Sequence, residues 1–239
     1  MTKVPTSRVE TFLAGQGLGS RIAYWIARVA VYGFCRLWTR VEVEGGENVP
    51  ATGAFVLAPV HRSNMDTPFA SCVTRRRLRF MGKHTLWKRR PVGWFLSALG
   101  AFPVVRGTAD REALKRCIAV LEAGEPLVLF PEGERKSGPT VQPLFDGPAY
   151  VALKTGVPVV PVGIGGSEAV MPKGARFIRP SKVQIIVGAP ITRPSVGGRV
   201  PRSVIQSVTD ELHAALQTLF DEAQQRVDSR GRRRRQSAK

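Results

Sequence analysis

The chain has 239 residues and a formal net charge of +18, and 43% of it is hydrophobic. That is enough apolar material for one α/β domain or two small ones, and it excludes a globally disordered chain. Six of those net charges lie after Ser229; the net +12 left on residues 1–229 implies an anionic environment, whether a membrane surface, a phosphorylated substrate or nucleic acid. Cys35, Cys72 and Cys117 are odd in number and form no C-x-x-C pair. That argues against a metal site or disulfide framework and for a reducing compartment. Residues 1–11 have no continuous apolar core of the kind a signal peptide carries.

Residues 1–19 read as irregular, and residues 20–39 as an amphipathic helix. At about 100° per residue, Arg21, Arg28, Arg36 and Arg40 share one sector, and Tyr24, Trp25, Ile26, Val29 and Leu37 fill much of the rest. Arg28 and Arg36 interrupt the run, so a helix lying in the headgroup region suits it better than a span of about 20 apolar residues. A helix packed on the domain's own core is the alternative. Val41–Glu44 alternates as a strand does, and Gly45–Asn48 is a turn. Strands follow at 54–58, 78–81, 102–105, 127–130, 157–164 and 183–187, with helices at 67–74, 91–98, 110–123, 149–155 and 203–226. Pro158 and Pro161 argue against a central position for the 157–164 strand. The alternation predicts a single α/β domain over 41–228, with a mostly parallel or mixed sheet covered by helices. Residues 1–40 form a membrane-associating segment ahead of it, and 229–239 a basic, disordered tail.

Three polar loops follow apolar strands, at His61, at Arg106 and at Glu132. Ligand sites in α/β sheets gather outside the carboxyl ends of strands. His61, with Asp66 five residues on, has the makings of an oriented general base: imidazole titrates near neutrality, and a carboxylate on its far nitrogen fixes the tautomer. Asp66 could equally cap a helix that has Pro68 in its first turn. Ser63 is a possible nucleophile, although its position favours bonding within the turn. His84 and His213 read as structural or surface residues.

Four blocks in order carry a family likeness: His61-Arg62-Ser63-Asn64-Met65-Asp66, Gly100-Ala101-Phe102-Pro103-Val104-Val105-Arg106, Phe130-Pro131-Glu132-Gly133-Glu134-Arg135 and Val157-Pro158-Val159-Val160-Pro161-Val162. Together they make residues 40–190 resemble the glycerolipid acyltransferases typified by 1-acyl-sn-glycerol-3-phosphate acyltransferase. The chain departs from that pattern at Glu134 and Lys136, where the family usually has threonine and serine. It departs again at Asp146, where many members have lysine.

The resemblance implies acyl transfer from acyl-CoA or an acyl-carrier-protein thioester to the free hydroxyl of lysophosphatidic acid, with no cofactor and no metal. It makes His61 and Asp66 catalytic, and Arg106, Glu132, Gly133, Arg135 and Lys83 binders of the acceptor phosphate. Backbone N–H groups near Gly133, or at the helix start after His61, are the candidate oxyanion donors. The clusters Arg75–Arg79 and Lys88–Arg90 would face anionic lipid or coenzyme A phosphates. The implied protein is peripheral, on the cytoplasmic face of the cell membrane. The rival readings are a nucleic-acid-binding protein, which no recognition motif supports, and a non-catalytic lipid carrier.

Overall fold

The computed structural model describes residues 17–104 and 111–236, without the side chains of Lys83, Ala98, Val104 and residues 230–236. Its strands are β1 (Glu42–Glu44), β2 (Val56–Pro59), β3 (Arg79–Lys83), β4 (Ala101–Val104), β5 (Leu127–Val128), β6 (Val159–Gly165) and β7 (Gln184–Val187). They form one sheet in the order β1-β7-β6-β2-β5-β3-β4. Every adjacent pair is parallel except β6 and β7. This is the mixed, mostly parallel sheet that the alternation of strands and helices predicts.

The helices are α1 (Leu18–Trp38), α2 (Asp66–Ser71), α3 (Arg90–Ala98), α4 (Arg111–Glu122), α5 (Gly147–Thr155), α6 (Ser167–Val170) and α7 (Arg202–Gln236). The long α7 lies along β6 and β7, and its buried side of Val208, Leu212, Leu216, Phe220 and Ala223 repeats at helical spacing. Opposite it, Gly163 and Gly165 stand two apart on β6. A Cβ at Gly163 would lie 2.3 Å from the Leu219 carbonyl oxygen, and one at Gly165 would lie 2.4 Å from the Ala223 carbonyl carbon. Only glycine lets the helix backbone settle against the strand there. The helix runs past 226 to Gln236, so the basic stretch expected to be disordered from 229 is helical as far as that residue. Arginine and glutamine are good helix formers, and a helix already anchored extends at one backbone bond per residue.

The prolines do not push β6 to the edge: it lies between β2 and β7. Even-numbered residues direct their backbone groups to β2, as the Pro158 and Val162 carbonyls accept from Val56 and Val60. Pro161 therefore turns its missing N–H toward the β7 side. There it falls between the Val159–Ile191 bridge and the first β7 pairing, Val162 with Val187. Its carbonyl still accepts the Gly188 N–H at 2.9 Å, so the strand gives up only the proline's own donor at that position.

Near the other end of the sheet, α1 packs on α2 and α3 with its polar groups inward. Tyr24 Oη donates to the Arg76 carbonyl at 3.3 Å and Arg28 Nη2 to the Thr74 carbonyl at 3.0 Å. Cys35 is the buried residue of the helix, while Leu18, Ile22, Trp25, Ile26, Val29 and Leu37 stand exposed.

Candidate active site

Because β2 and β5 are neighbours in parallel register, the loops that leave their carboxyl ends emerge side by side, about 4.8 Å apart at the strands. The first loop carries His61. Its Nδ1 lies 3.0 Å from Asp66 Oδ2, and Asp66, at the start of α2, is fully buried. The same oxygen accepts the backbone N–H of Arg62 at 2.5 Å and of Ser63 at 2.6 Å. Three donors thus converge on one carboxylate oxygen, and the imidazole plane is set by a group that cannot itself swing. The ring stacks on Phe130, with centroids 4.0 Å apart and planes at 24°. Among the described residues nothing is hydrogen-bonded to Nε2, and the side chain is 13% exposed. A base with one nitrogen held and the other free is the geometry that general-base catalysis needs. Ser63 is not placed as a nucleophile: its Oγ donates to the Met171 carbonyl at 2.9 Å and accepts the Met65 N–H at 3.1 Å.

The second loop, after β5, is sewn to the first. Lys136 N–H donates to the His61 carbonyl at 2.8 Å, and His61 N–H donates to Glu132 Oε2 at 3.0 Å. Glu132 is fully buried. It receives Arg62 Nη1 on both oxygens, at 2.8 and 2.7 Å, and the Gln142 N–H on Oε1 at 3.1 Å. Expected among the residues of the acceptor-phosphate site, Glu132 is bonded within the fold and joins the two loops. Gly133 has φ of +69°, and a Cβ there would lie 2.5 Å from Phe145 Cε2. Glycine is required for the turn itself. The Gly133 N–H already donates to the Phe130 carbonyl at 3.0 Å, and those of Arg62, Ser63 and Met65 are engaged as above. These four N–H groups, which lie among those near Gly133 and at the helix start where oxyanion donors are expected, are engaged within the fold.

Arg135 follows on this loop, half-buried and with no ion pair among the described residues. Its neighbours Glu134 and Lys136 pair with each other at 2.8 Å. The hydrogen bond and charge of Lys136, with Lys173 further off, hold the Glu134 carboxyl below the ordinary carboxylate range. The two departures from the family pattern on this loop are thus one ion pair. Asp146 is turned away, accepting Thr209 Oγ1 at 3.0 Å where α5 meets α7. Lys83 ends β3, level with Val104 at the end of β4, on the edge of the sheet that carries His61 and Glu132. Arg106 lies outside the described residues. His213 Nε2 meets the Val141 carbonyl at 3.0 Å on α7, and His84 sits exposed in a 3-10 turn.

The basic run 75–79 divides. Arg76 donates to the carbonyls of Pro50 and Gly53 and lies over the Phe55 ring, Arg77 lies over Tyr24, and Arg79 is buried on Glu125. Arg75 is exposed. Sequence reasoning missed Arg62, the buried partner of Glu132, which also sits 4.9 Å from the centre of the Phe220 ring. The available signal was an arginine beside the histidine and a glutamate in a later strand-end loop, but neither residue type announces burial. It also missed Phe130, which belongs to a recognised block but whose stacking on His61 depends on the β2–β5 register. Among the described residues no cluster of three His, Cys, Asp or Glu side chains could hold a metal ion.

Residues 40–165 match the family model described as Acyltransferase. A chloroplastic 1-acyl-sn-glycerol-3-phosphate acyltransferase of Brassica napus is 29% identical over 174 residues, covering 71% of this chain and 49% of that protein. The 1-acyl-sn-glycerol-3-phosphate acyltransferase of Bacillus subtilis is 26% identical over 186 residues, covering 77% of this chain and 90% of that one. The chain spans about half the length of the plant relatives it matches. Among solved structures, the 1-acyl-sn-glycerophosphate acyltransferase PlsC of Thermotoga maritima superposes with a TM-score of 0.66 at 25% identity, covering 92% of this chain and 85% of that one. The family match takes in more than half of the 239 residues, including His61, Asp66 and the loop locked by Arg62 and Glu132, and so the chain belongs to the acyltransferase family.

Proposed function

We propose that the protein transfers a fatty acyl group from acyl-CoA to the free hydroxyl of 1-acylglycerol 3-phosphate, giving phosphatidic acid for phospholipid biosynthesis. An acyl-carrier-protein thioester is the alternative donor. The observation that carries the reading is the His61–Asp66 dyad, with Nδ1 held and Nε2 open, at the carboxyl edge of an acyltransferase-family sheet. The names of the relatives support the choice of acceptor.

The nucleophile is the acceptor's own hydroxyl. His61 Nε2 takes its proton as the oxygen attacks the thioester carbonyl, and Asp66 stabilises the imidazolium. The tetrahedral intermediate collapses with loss of the thiolate, to which the imidazolium returns the proton. Arg135 and Arg106 are the proposed clamps on the acceptor phosphate, because guanidinium forks match phosphate oxygens, and Lys83 is proposed to add a point charge there. A second reading, with glycerol 3-phosphate or another lysophospholipid as acceptor, is supported by the Glu134–Lys136 pair, which departs from the family pattern beside Arg135.

The protein is further proposed to sit on the cytoplasmic face of the membrane as a peripheral protein. The exposed apolar row of α1 supports this, since its polar side is already bonded to the domain. Among the described residues no helix is long and apolar enough to cross a membrane. Replacing Trp25, Ile26 and Leu37 with serine should move the protein off sedimented vesicles; unchanged sedimentation would refute the membrane placement. The acyl-transfer reading is tested by a screen of acceptors with one labelled acyl-CoA and mass detection of products. Labelled phosphatidic acid from the lysophosphatidic acid arm is expected, and labelled product only from other acceptors would overturn the assignment.

A further inference from the structure

Between α1 and the segment that follows α2 lies a half-open cavity of about 500 Å³. Trp25, Arg28 and Tyr32 line it from the helix, and Cys72, Thr74 and Arg75 from the loop. The lining has two guanidinium groups and no carboxylate. The dyad lies elsewhere: α2 starts at Asp66 and runs for six residues, roughly 9 Å, before the cavity is reached at its far end.

The two arginines are held differently from the rest of the basic run. Arg76, Arg77 and Arg79 are engaged by carbonyls, aromatic rings or Glu125 within the domain. Arg75 is exposed and makes no ion pair among the described residues. Arg28 is held by a bond from Nη2 to the Thr74 carbonyl, and its Nε is buried without a hydrogen-bond partner among the described residues. Two cations that line one cavity without a carboxylate between them repel each other unless an anion enters. The oxygens of a phosphate group meet that need, since they accept from guanidinium forks in pairs.

The rim identifies what carries the phosphate. Trp25 is 62% exposed and Tyr32 43%, and Ile22, Ile26 and Val29 continue the exposed row along α1. An amphipathic ring beside a cation, opening onto an apolar face, fits a molecule with a charged head and a hydrocarbon body. We propose that this cavity binds the phosphate of an anionic phospholipid headgroup, at a site separate from the acceptor site beside His61. The inference uses the lipid-facing side of α1 but not the acyl-transfer reading.

Soluble, monomeric probes test it without a bilayer, so its failure is distinguishable from failure of the membrane placement. The full chain is titrated calorimetrically with dihexanoylphosphatidylglycerol below its critical micelle concentration, with dihexanoylphosphatidylcholine, and with inorganic phosphate. The proteins are wild type, Arg75→Gln, Arg28→Gln and, as an equal loss of exposed charge away from the cavity, Arg199→Gln. Arg75→Gln should weaken binding of the phosphatidylglycerol at least tenfold, Arg28→Gln should do the same, and Arg199→Gln should leave it unchanged. Arg75 is exposed and makes no ion pair among the described residues, so its variant remains informative if Arg28→Gln fails to fold. Absence of binding, or an equal loss in Arg75→Gln and Arg199→Gln, would overturn the site. Inorganic phosphate binding as tightly with the same dependence on Arg75 would assign the cavity to free phosphate and overturn the lipid source. Equal affinity for the phosphatidylcholine would overturn the preference for an anionic headgroup.

Discussion

Arg62 and Glu132, both excluded from solvent, meet at 2.7 Å and join the loop after β2 to the loop after β5. Each is satisfied on all sides. Arg62 also donates to the carbonyls of Gly138 and Thr140, and Glu132 also accepts the N–H groups of His61 and Gln142. Such a pair contributes little over an apolar substitute, but removal of one partner strands a charge. Glu132→Gln keeps the shape and leaves Arg62 without its counter-charge. It should lower the unfolding free energy by about 3–5 kcal/mol in urea denaturation. A loss under about 1 kcal/mol, the scale of an exposed pair, would show that the pair does not lock the loops.

Asp66 permits a cleaner separation of charge from shape. Oδ2 carries all three donors, and Oδ1 is buried with no partner among the described residues. Asp66→Asn can keep its carbonyl oxygen on those donors and place its NH₂ where Oδ1 lay. The fold should persist while the imidazolium loses its counter-charge, so kcat should fall by about 10²–10⁴-fold. Circular dichroism and a thermal melt check the fold; single-turnover acylation measures the loss. A fully folded variant with wild-type kcat would remove Asp66 from the mechanism.

Arg135 is left available because Lys136, not Arg135, takes Glu134. The depressed carboxyl of Glu134 keeps that pair intact at neutral pH, and the pair is lost only as pH falls through the lowered value. Arg135→Ala should therefore raise KM for a phosphorylated acceptor with little change in kcat, the pattern of lost ground-state binding. Arg106→Ala should behave the same way. An unchanged KM in either variant would exclude that arginine from the clamp.

Much of the fold is legible because periodicity is local. Apolar runs mark the strands, and Leu212 and Leu216 mark the buried side of α7. What the sequence does not show is which runs become neighbours. The β2–β5 pairing places Phe130 on His61 and Glu132 on Arg62, and none of those contacts follows from spacing along the chain. Pro161 misleads for a related reason. A proline forbids a ladder bond only on the side its nitrogen faces, and that side is known only once β7 is placed. The likeness to a family identified Glu132 and Gly133 as site residues. The geometry shows them building the loop, one as a buried counter-ion and the other as a left-handed turn. The departures at Glu134 and Lys136 look independent in sequence, and the structure shows them paired.

The most direct measurement is turnover by His61→Ala, in labelled phosphatidic acid formed from acyl-CoA and lysophosphatidic acid, with a melting curve on the same sample. His61 is 13% exposed and, among the described residues, its ring meets only Asp66 and Phe130, so the variant should fold. The expected result is a melting temperature near that of the wild type with acyl transfer reduced at least 10²-fold. A folded His61→Ala protein that retains near wild-type kcat would contradict it.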